Sequence, residues 1–163
     1  MFGQIVILVV ALLAIFLMRS GFPVIARRSD NKARRQRLLG GAELLFNDGR
    51  EAYRKKKYRD AIRMFKQAAL IRPGRAMAYY YLGLSYAALG AFTEAEKAYQ
   101  EALRRDPKSN MAWSELGDLY RKLNRWEDAI KAYQQALHIK PDLQTAHYGL
   151  ESAYARLGAD EAA

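Results

Sequence analysis

The chain has no cysteine among its 163 residues. Disulfides, thiolate metal sites and cysteine nucleophiles are thereby excluded, although the redox compartment stays open. Histidine is nearly as scarce: His138 and His147 stand nine residues apart and read as members of different helices. Neither has a carboxylate at a spacing that would make a triad or a metal site. A glycine-rich phosphate loop is also missing. The nearest approach to a paired acid site is Glu115 with Asp118, one helical turn apart, a pattern usually solvated or salt-bridged. No enzyme activity, metal, cofactor or small-molecule substrate is expected.

Proline is rare too, but ordered. Of four prolines, Pro73, Pro107 and Pro141 sit 34 residues apart, and the chain between them repeats column by column. One column reads Gly49, Gly83, Gly117; others read Ala61, Ala95, Ala129, then Phe65, Tyr99, Tyr133, then Ala68, Ala102, Ala136. In each unit a first helix is expected from about Ala42, Ala76 and Asn110, and a second from about Tyr58, Phe92 and Trp126. The glycine and alanine columns remove bulk where two helices approach closely, at a cost in helix propensity. The aromatic column fills space between helices, and the proline ends the unit because it cannot continue the hydrogen-bond ladder.

These columns resemble the tetratricopeptide repeat family, whose unit has an early aromatic, a Leu-Gly pair, a Tyr, then Ala, an aromatic, Ala and Pro. The resemblance covers roughly residues 42 to 157. It implies an all-α, right-handed solenoid of three helical hairpins (42–75, 76–109, 110–143) with a capping helix at 144–157 and a tail at 158–163. In the cap, His147, Leu150 and Tyr154 follow Trp113, Leu116, Tyr120 and Tyr79, Leu82, Tyr86, and His147 is expected to pack. Glu151 stands in the glycine column, where no second helix follows, as the end of a solenoid allows. The first unit departs most, with Leu45 for the early aromatic, Asp48 for the leucine, and Ala52 followed by Tyr53.

Ahead of the repeats, residues 2–18 read FGQIVILVVALLAIFLM, with Gln4 the one strongly polar side chain. At about 1.5 Å per residue that run spans roughly 25 Å, the short end of a bilayer crossing. No Lys or Arg precedes it and no Ala-x-Ala site follows, so an uncleaved transmembrane anchor over 1–18 is expected rather than a signal peptide. Arg19, Arg27, Arg28, Lys32, Arg34, Arg35 and Arg37 all follow the run, in a basic linker over 19–41. The positive-inside rule then puts the N-terminus outside and the repeats in the cytoplasm. A bacterial inner membrane is favoured by the Arg- and Ala-rich style; a mitochondrial outer-membrane anchor has the same sign pattern.

The net charge of +10 is uneven: residues 1–41 and 42–75 each balance to +6, the next two units to zero, and the stretch from Gln144 to −2. A basic end beside a span fits attraction to anionic lipid headgroups. A solvated positive face and nucleic-acid binding are the alternatives. Arg54 to Lys57 is the best argument for nucleic acid, but it lies in a turn, and no basic stripe continues along the repeats.

The resemblance places binding on a concave groove lined by the first helices. Its expected lining is Phe46, Arg50, Tyr53, Met77, Tyr80, Tyr81, Leu84, Met111, Ser114, Glu115, Asp118 and Arg121, with Tyr148 from the cap. Tyr79 belongs to the early aromatic column and is expected in the core. A Tyr- and Met-rich surface suits an amphipathic helix or extended peptide. Some family members grip chaperone C-termini with a clamp of two Lys, two Asn and an Arg; here those columns hold Phe46, Arg50, Tyr81, Met111 and Glu115. Docking of that kind is therefore not expected, and a more apolar ligand is. The resulting expectation is a membrane-anchored scaffold or adaptor for a protein partner or assembly client. The alternatives are a permanent accessory subunit of a membrane complex, for which Ala11 and Ala14 without a GxxxG pattern are a slight hint, and an RNA-binding solenoid.

Overall fold

The computed structural model describes residues 15–16 and 31–161. The chain divides into two units, residues 1–40 and 41–163. In the first, residues 31–40 are helical, so part of the expected linker has regular structure. Residues 31–39 contain neither proline nor glycine to stop a helix. Lys32, Arg34, Arg35 and Arg37 are exposed there. Arg19, Arg27 and Arg28 lie outside the described residues, as does the expected span over 1–18 except for Ile15 and Phe16, which are helical and exposed. Among the described residues no helix is long and apolar enough to cross a membrane.

In the second unit, the described residues form seven helices: α1 (residues 41–54), α2 (Tyr58–Ile71), α3 (Ala76–Ala88), α4 (Phe92–Arg105), α5 (Asn110–Lys122), α6 (Trp126–Ile139) and α7 (Gln144–Glu161). Each second helix packs on the first helices before and after it. In addition α3 touches α5 and α5 touches α7. Ring contacts of Phe46 and Tyr53 with Tyr81 join α1 to α3. Two layers result, α1, α3, α5 and α7 in one and α2, α4 and α6 in the other.

A glycine facing an aromatic ring closes each hairpin. A methyl group at Gly49 would stand 2.8 Å from Phe65 Cε1, at Gly83 2.5 Å from Tyr99 Cε1, and at Gly117 2.7 Å from Tyr133 Cε1. Any side chain at these three positions would expel the ring, which outweighs the propensity cost of glycine in a helix. The rings are 0%, 1% and 0% exposed, so they are the largest pieces of the core. The alanine columns beside them, Ala61, Ala95, Ala129 and Ala68, Ala102, Ala136, are buried as well.

The hairpin turns share a left-handed residue in one column: Lys56 at φ 58°, Gly90 at φ 74° and Asn124 at φ 57°. In each, the next residue's amide donates five residues back, Lys57 to Ala52, Ala91 to Tyr86 and Arg125 to Tyr120, closing the end of the first helix. Of the N-caps from α2 to α6, only Ser109 caps with its side chain, accepting from the Ala112 amide. The other helix starts therefore rest on packing more than on local capping.

At the unit boundaries, the early aromatic column has a task beyond packing. The Trp113 indole donates to the Pro107 carbonyl at 3.0 Å. His147 is exposed rather than packed, and its Nε2 lies 2.7 Å from the Pro141 carbonyl, a bond that requires the proton on Nε2. Tyr79 is half-buried and cannot make this bond alone; Arg105 donates both to the Pro73 carbonyl and, at 3.0 Å, to the Tyr79 hydroxyl. Each post-helical proline carbonyl thus finds a donor.

The capping helix extends to Glu161, past the expected end at residue 157 and through most of the expected tail. Only Gly158 lowers helix propensity there, by about 1 kcal/mol. Glu151 is exposed, but Gly149 carries a close contact that the repeat columns do not foretell: a methyl there would collide with the Tyr133 ring.

Candidate functional site

The face of the first-helix layer carries the expected groove residues, and they divide by burial. Phe46 and Ser114 are corrections: at 3% and 7% exposed they belong to the interior. Phe46 is sealed by the Phe65 and Tyr81 rings and by the Arg75 guanidinium 3.6 Å from its centroid. Tyr81 is only partly open, because its ring stacks on Phe65 at 5.4 Å with planes 21° apart. Tyr53, Met77, Tyr80, Leu84, Glu115, Asp118 and Arg121 are half-buried, and Arg50, Met111 and Tyr148 are exposed.

The aromatic rings form a continuous chain across α1, α3 and α4. Tyr53 meets Tyr81 at 6.2 Å, Tyr81 meets Tyr80 at 5.4 Å, and Tyr80 meets Tyr99 at 6.3 Å. The Arg50 guanidinium lies over this chain, 5.6 Å from the Tyr81 centroid and 6.0 Å from that of Phe46. Its charge is therefore partly directed to ring faces.

The two acids of α5 have different fates. Asp118 accepts from the Tyr133 hydroxyl at 2.8 Å and from Arg121 at 3.2 Å. Among the described residues no hydrogen bond or ion pair reaches Glu115. Burial pushes its carboxyl up to about 6; repulsion from Asp118 adds to this and Lys122 offsets part of it. Burial also raises the hydroxyls of Tyr53, Tyr80 and Tyr99, and in each the next cause is the charge of Glu115.

One column explains an unpaired hydroxyl. Leu84 stands in the repeat position that Asp118 takes one unit later, so the buried Tyr99 hydroxyl lacks the acceptor that Tyr133 has, and it has no partner among the described residues. Removing it by Tyr99→Phe should leave stability unchanged or slightly higher, whereas Tyr133→Phe should cost about 1 kcal/mol. Urea denaturation of the two variants checks this; equal losses would show that both hydroxyls are satisfied.

Among the described residues no group of three or more His, Asp or Glu side chains could hold a metal ion. The long pocket between α4, α5 and α6, about 490 Å³ and lined by Leu103, Trp113, Tyr120 and Lys131, lies outside this face.

Paired helices in two layers, a 34-residue register and glycine-aromatic locks define a solenoid of helical hairpins. The tetratricopeptide repeat profile matches residues 46–110, 85–144 and 114–163, and the chain belongs to that family. No curated protein matches it. Similar solved structures include the tetratricopeptide repeat domain of Sgt2 from Aspergillus fumigatus, with TM-score 0.71 and 24% identity over 75% of this chain and 82% of that one. The first such domain of Spaghetti (RPAP3) bound to the HSP90 peptide SRMEEVD gives TM-score 0.71 and 23% identity over 73% and 94%. MamA gives 0.70 and 27% over 72% and 69%.

Proposed function

We propose that this chain is a binding scaffold whose first-helix face captures a peptide or helix of a protein partner. The observation that carries it is the half-open strip of Met77, Tyr80 and Leu84 beside exposed Met111 and Tyr148, large adaptable side chains on a preformed surface. Such a surface binds without a folding cost on the receptor side. The similar Spaghetti domain holds a peptide ending in Glu-Glu-Val-Asp. In this chain Glu115, unpaired among the described residues on the first-helix face, would repel such an acidic peptide, so a partner of less acidic character fits better. The apolar run over 2–18 would anchor the scaffold, with Lys32, Arg34, Arg35 and Arg37 facing anionic headgroups on the cytoplasmic side, raising the local concentration of the partner.

The test is site-specific photocrosslinking in intact membranes. A photoreactive residue in place of Met111 should yield a discrete partner adduct. The same residue in place of Leu70, 81% exposed on α2 in the other layer, should not. Equal yields from both positions would refute the groove.

A further inference from the structure

The three hairpin turns share one backbone and differ in charge. Each carries a left-handed residue and an amide bond reaching five residues back, so the fold asks for nothing basic there. The second and third turns read Leu89-Gly90-Ala91 and Leu123-Asn124-Arg125, whereas the first reads Lys55-Lys56-Lys57. Left-handed backbone favours glycine or asparagine, and Lys56 holds it against that preference. From Arg54 to Lys66 seven basic residues stand against one acid, Asp60; the matching stretches 88–100 and 122–134 balance to −1 and +1.

The turn continues into a stripe. Arg59, Arg63, Lys66 and Leu70 follow one another at four, three and four residues, which is one face of α2, and all four are exposed. Among the described residues Lys56, Lys57 and Arg59 have no ion pair. Arg54 and Lys55 share Glu51, Arg63 pairs with Asp60 at 3.1 Å, and the Lys66 ammonium stands 5.5 Å from the centroid of the Tyr86 ring. Exposed pairs of this kind are cheap to exchange for another anion. Leu70 is 81% exposed, in a column that holds Arg104 and His138 in the later units.

Resting on the membrane reading above, we propose that Lys56, Lys57, Arg59, Arg63, Lys66 and Leu70 form a second contact with the bilayer. The cations meet phospholipid phosphates and Leu70 enters the upper acyl layer, which holds the first hairpin against the membrane surface. Charge complementarity and the exposed leucine select this occupant. A nucleic-acid backbone would use the cations but not Leu70, and the positive stripe stops at α2 instead of running on along the solenoid. The connection is long enough: α1 spans about 21 Å, and residues 19–40 would reach about 33 Å even if wholly helical. The turn at the far end of α1 is therefore within reach of the surface from which the apolar run over 2–18 would emerge.

The chain's lack of cysteine lets a single site be labelled without background. Gln67, beside the stripe on α2, and Gln135, in the same column on α6, are both exposed. Each is changed to Cys in the full-length chain, given a fluorophore, and reconstituted into vesicles of phosphatidylcholine alone or with an equal share of phosphatidylglycerol, all carrying a headgroup-quencher lipid. In the anionic vesicles quenching should be strong at residue 67 and weak at residue 135. It should fall to the weak level in phosphatidylcholine, and also when Lys56→Gln, Lys57→Gln and Arg59→Gln are combined, a change worth roughly a hundredfold in the bound-to-free ratio of the hairpin. Flotation with each vesicle type reports the anchor separately. A chain that floats with both but is quenched equally at the two sites, or whose quenching at residue 67 survives in phosphatidylcholine or in the triple variant, overturns the proposal and leaves the anchor standing. Flotation and quenching with anionic vesicles only would remove the anchor and keep the contact; flotation with neither would remove both. Quenching abolished by single-stranded RNA at equal phosphate concentration would assign the stripe to nucleic acid and overturn the proposal as well.

Discussion

Replacing Tyr133 by alanine should lower the unfolding free energy by about 3–5 kcal/mol, the range for truncating a large buried aromatic. Its ring is 0% exposed and leaves no room for a side chain at Gly117 or at Gly149, so it joins the third hairpin to the cap. The truncation opens a cavity against Gly117 of α5 and Gly149 of α7, and it deprives Asp118 of its 2.8 Å donor. Neither glycine can fill the space, having no side chain to move. Because each unit of a solenoid is stabilised through its neighbours, the loss should appear first as faster amide exchange in α7, ahead of α3 and α4. Urea denaturation measures the magnitude. A loss below about 1 kcal/mol would mean that the ring does not hold the cap.

The second large effect has the opposite sign. Glu115→Gln should stabilise the chain at pH 8, by up to about 2 kcal/mol. The folded-state carboxyl is raised from 4.5 to about 6, so its charged form is the disfavoured one in the fold. A raised carboxyl leaves stability intact below about pH 4.5 and removes it progressively as pH rises through about 6. The charged and titratable groups whose electrostatics couple to it are Asp118 and Lys122 on its own helix and the tyrosines Tyr53, Tyr80 and Tyr99 of α1, α3 and α4. The tyrosines are not ionised in this range, so the change belongs to the carboxyl. Denaturation curves of the wild type and Glu115→Gln should converge near pH 4 and separate by pH 8. A constant separation, or a destabilised variant at pH 8, would show that the carboxylate is satisfied.

Much of the architecture is legible in the columns. Glycine opposite an aromatic, buried alanines and a terminal proline are each demanded by local geometry repeated every 34 residues, so reading one unit reads three. The groove is less legible. As first-helix residues outside the glycine and aromatic-core columns, Phe46 and Ser114 are expected on the binding face. The Arg75 guanidinium and the Tyr81 ring cover Phe46, and both come from outside its own helix. His147 was expected to pack like the tryptophan one unit earlier. Its ring is instead exposed and is held by the proline-carbonyl bond. Gly149 could have been flagged, being a glycine inside a helical run, although the ring it accommodates lies in the preceding unit.

By itself the sequence determined the repeat, the register and the helix pairs, because those depend on spacing along one chain: bulk removed at one column must be matched by bulk at another a fixed distance away. Only the tertiary structure decided which acid is free. Glu115 and Asp118 are the same chemistry one turn apart, yet Asp118 reaches Tyr133 and Arg121 while Glu115, half-buried, has no hydrogen bond or ion pair among the described residues. Desolvation and pairing are set by groups distant in sequence, and no spacing within α5 records them.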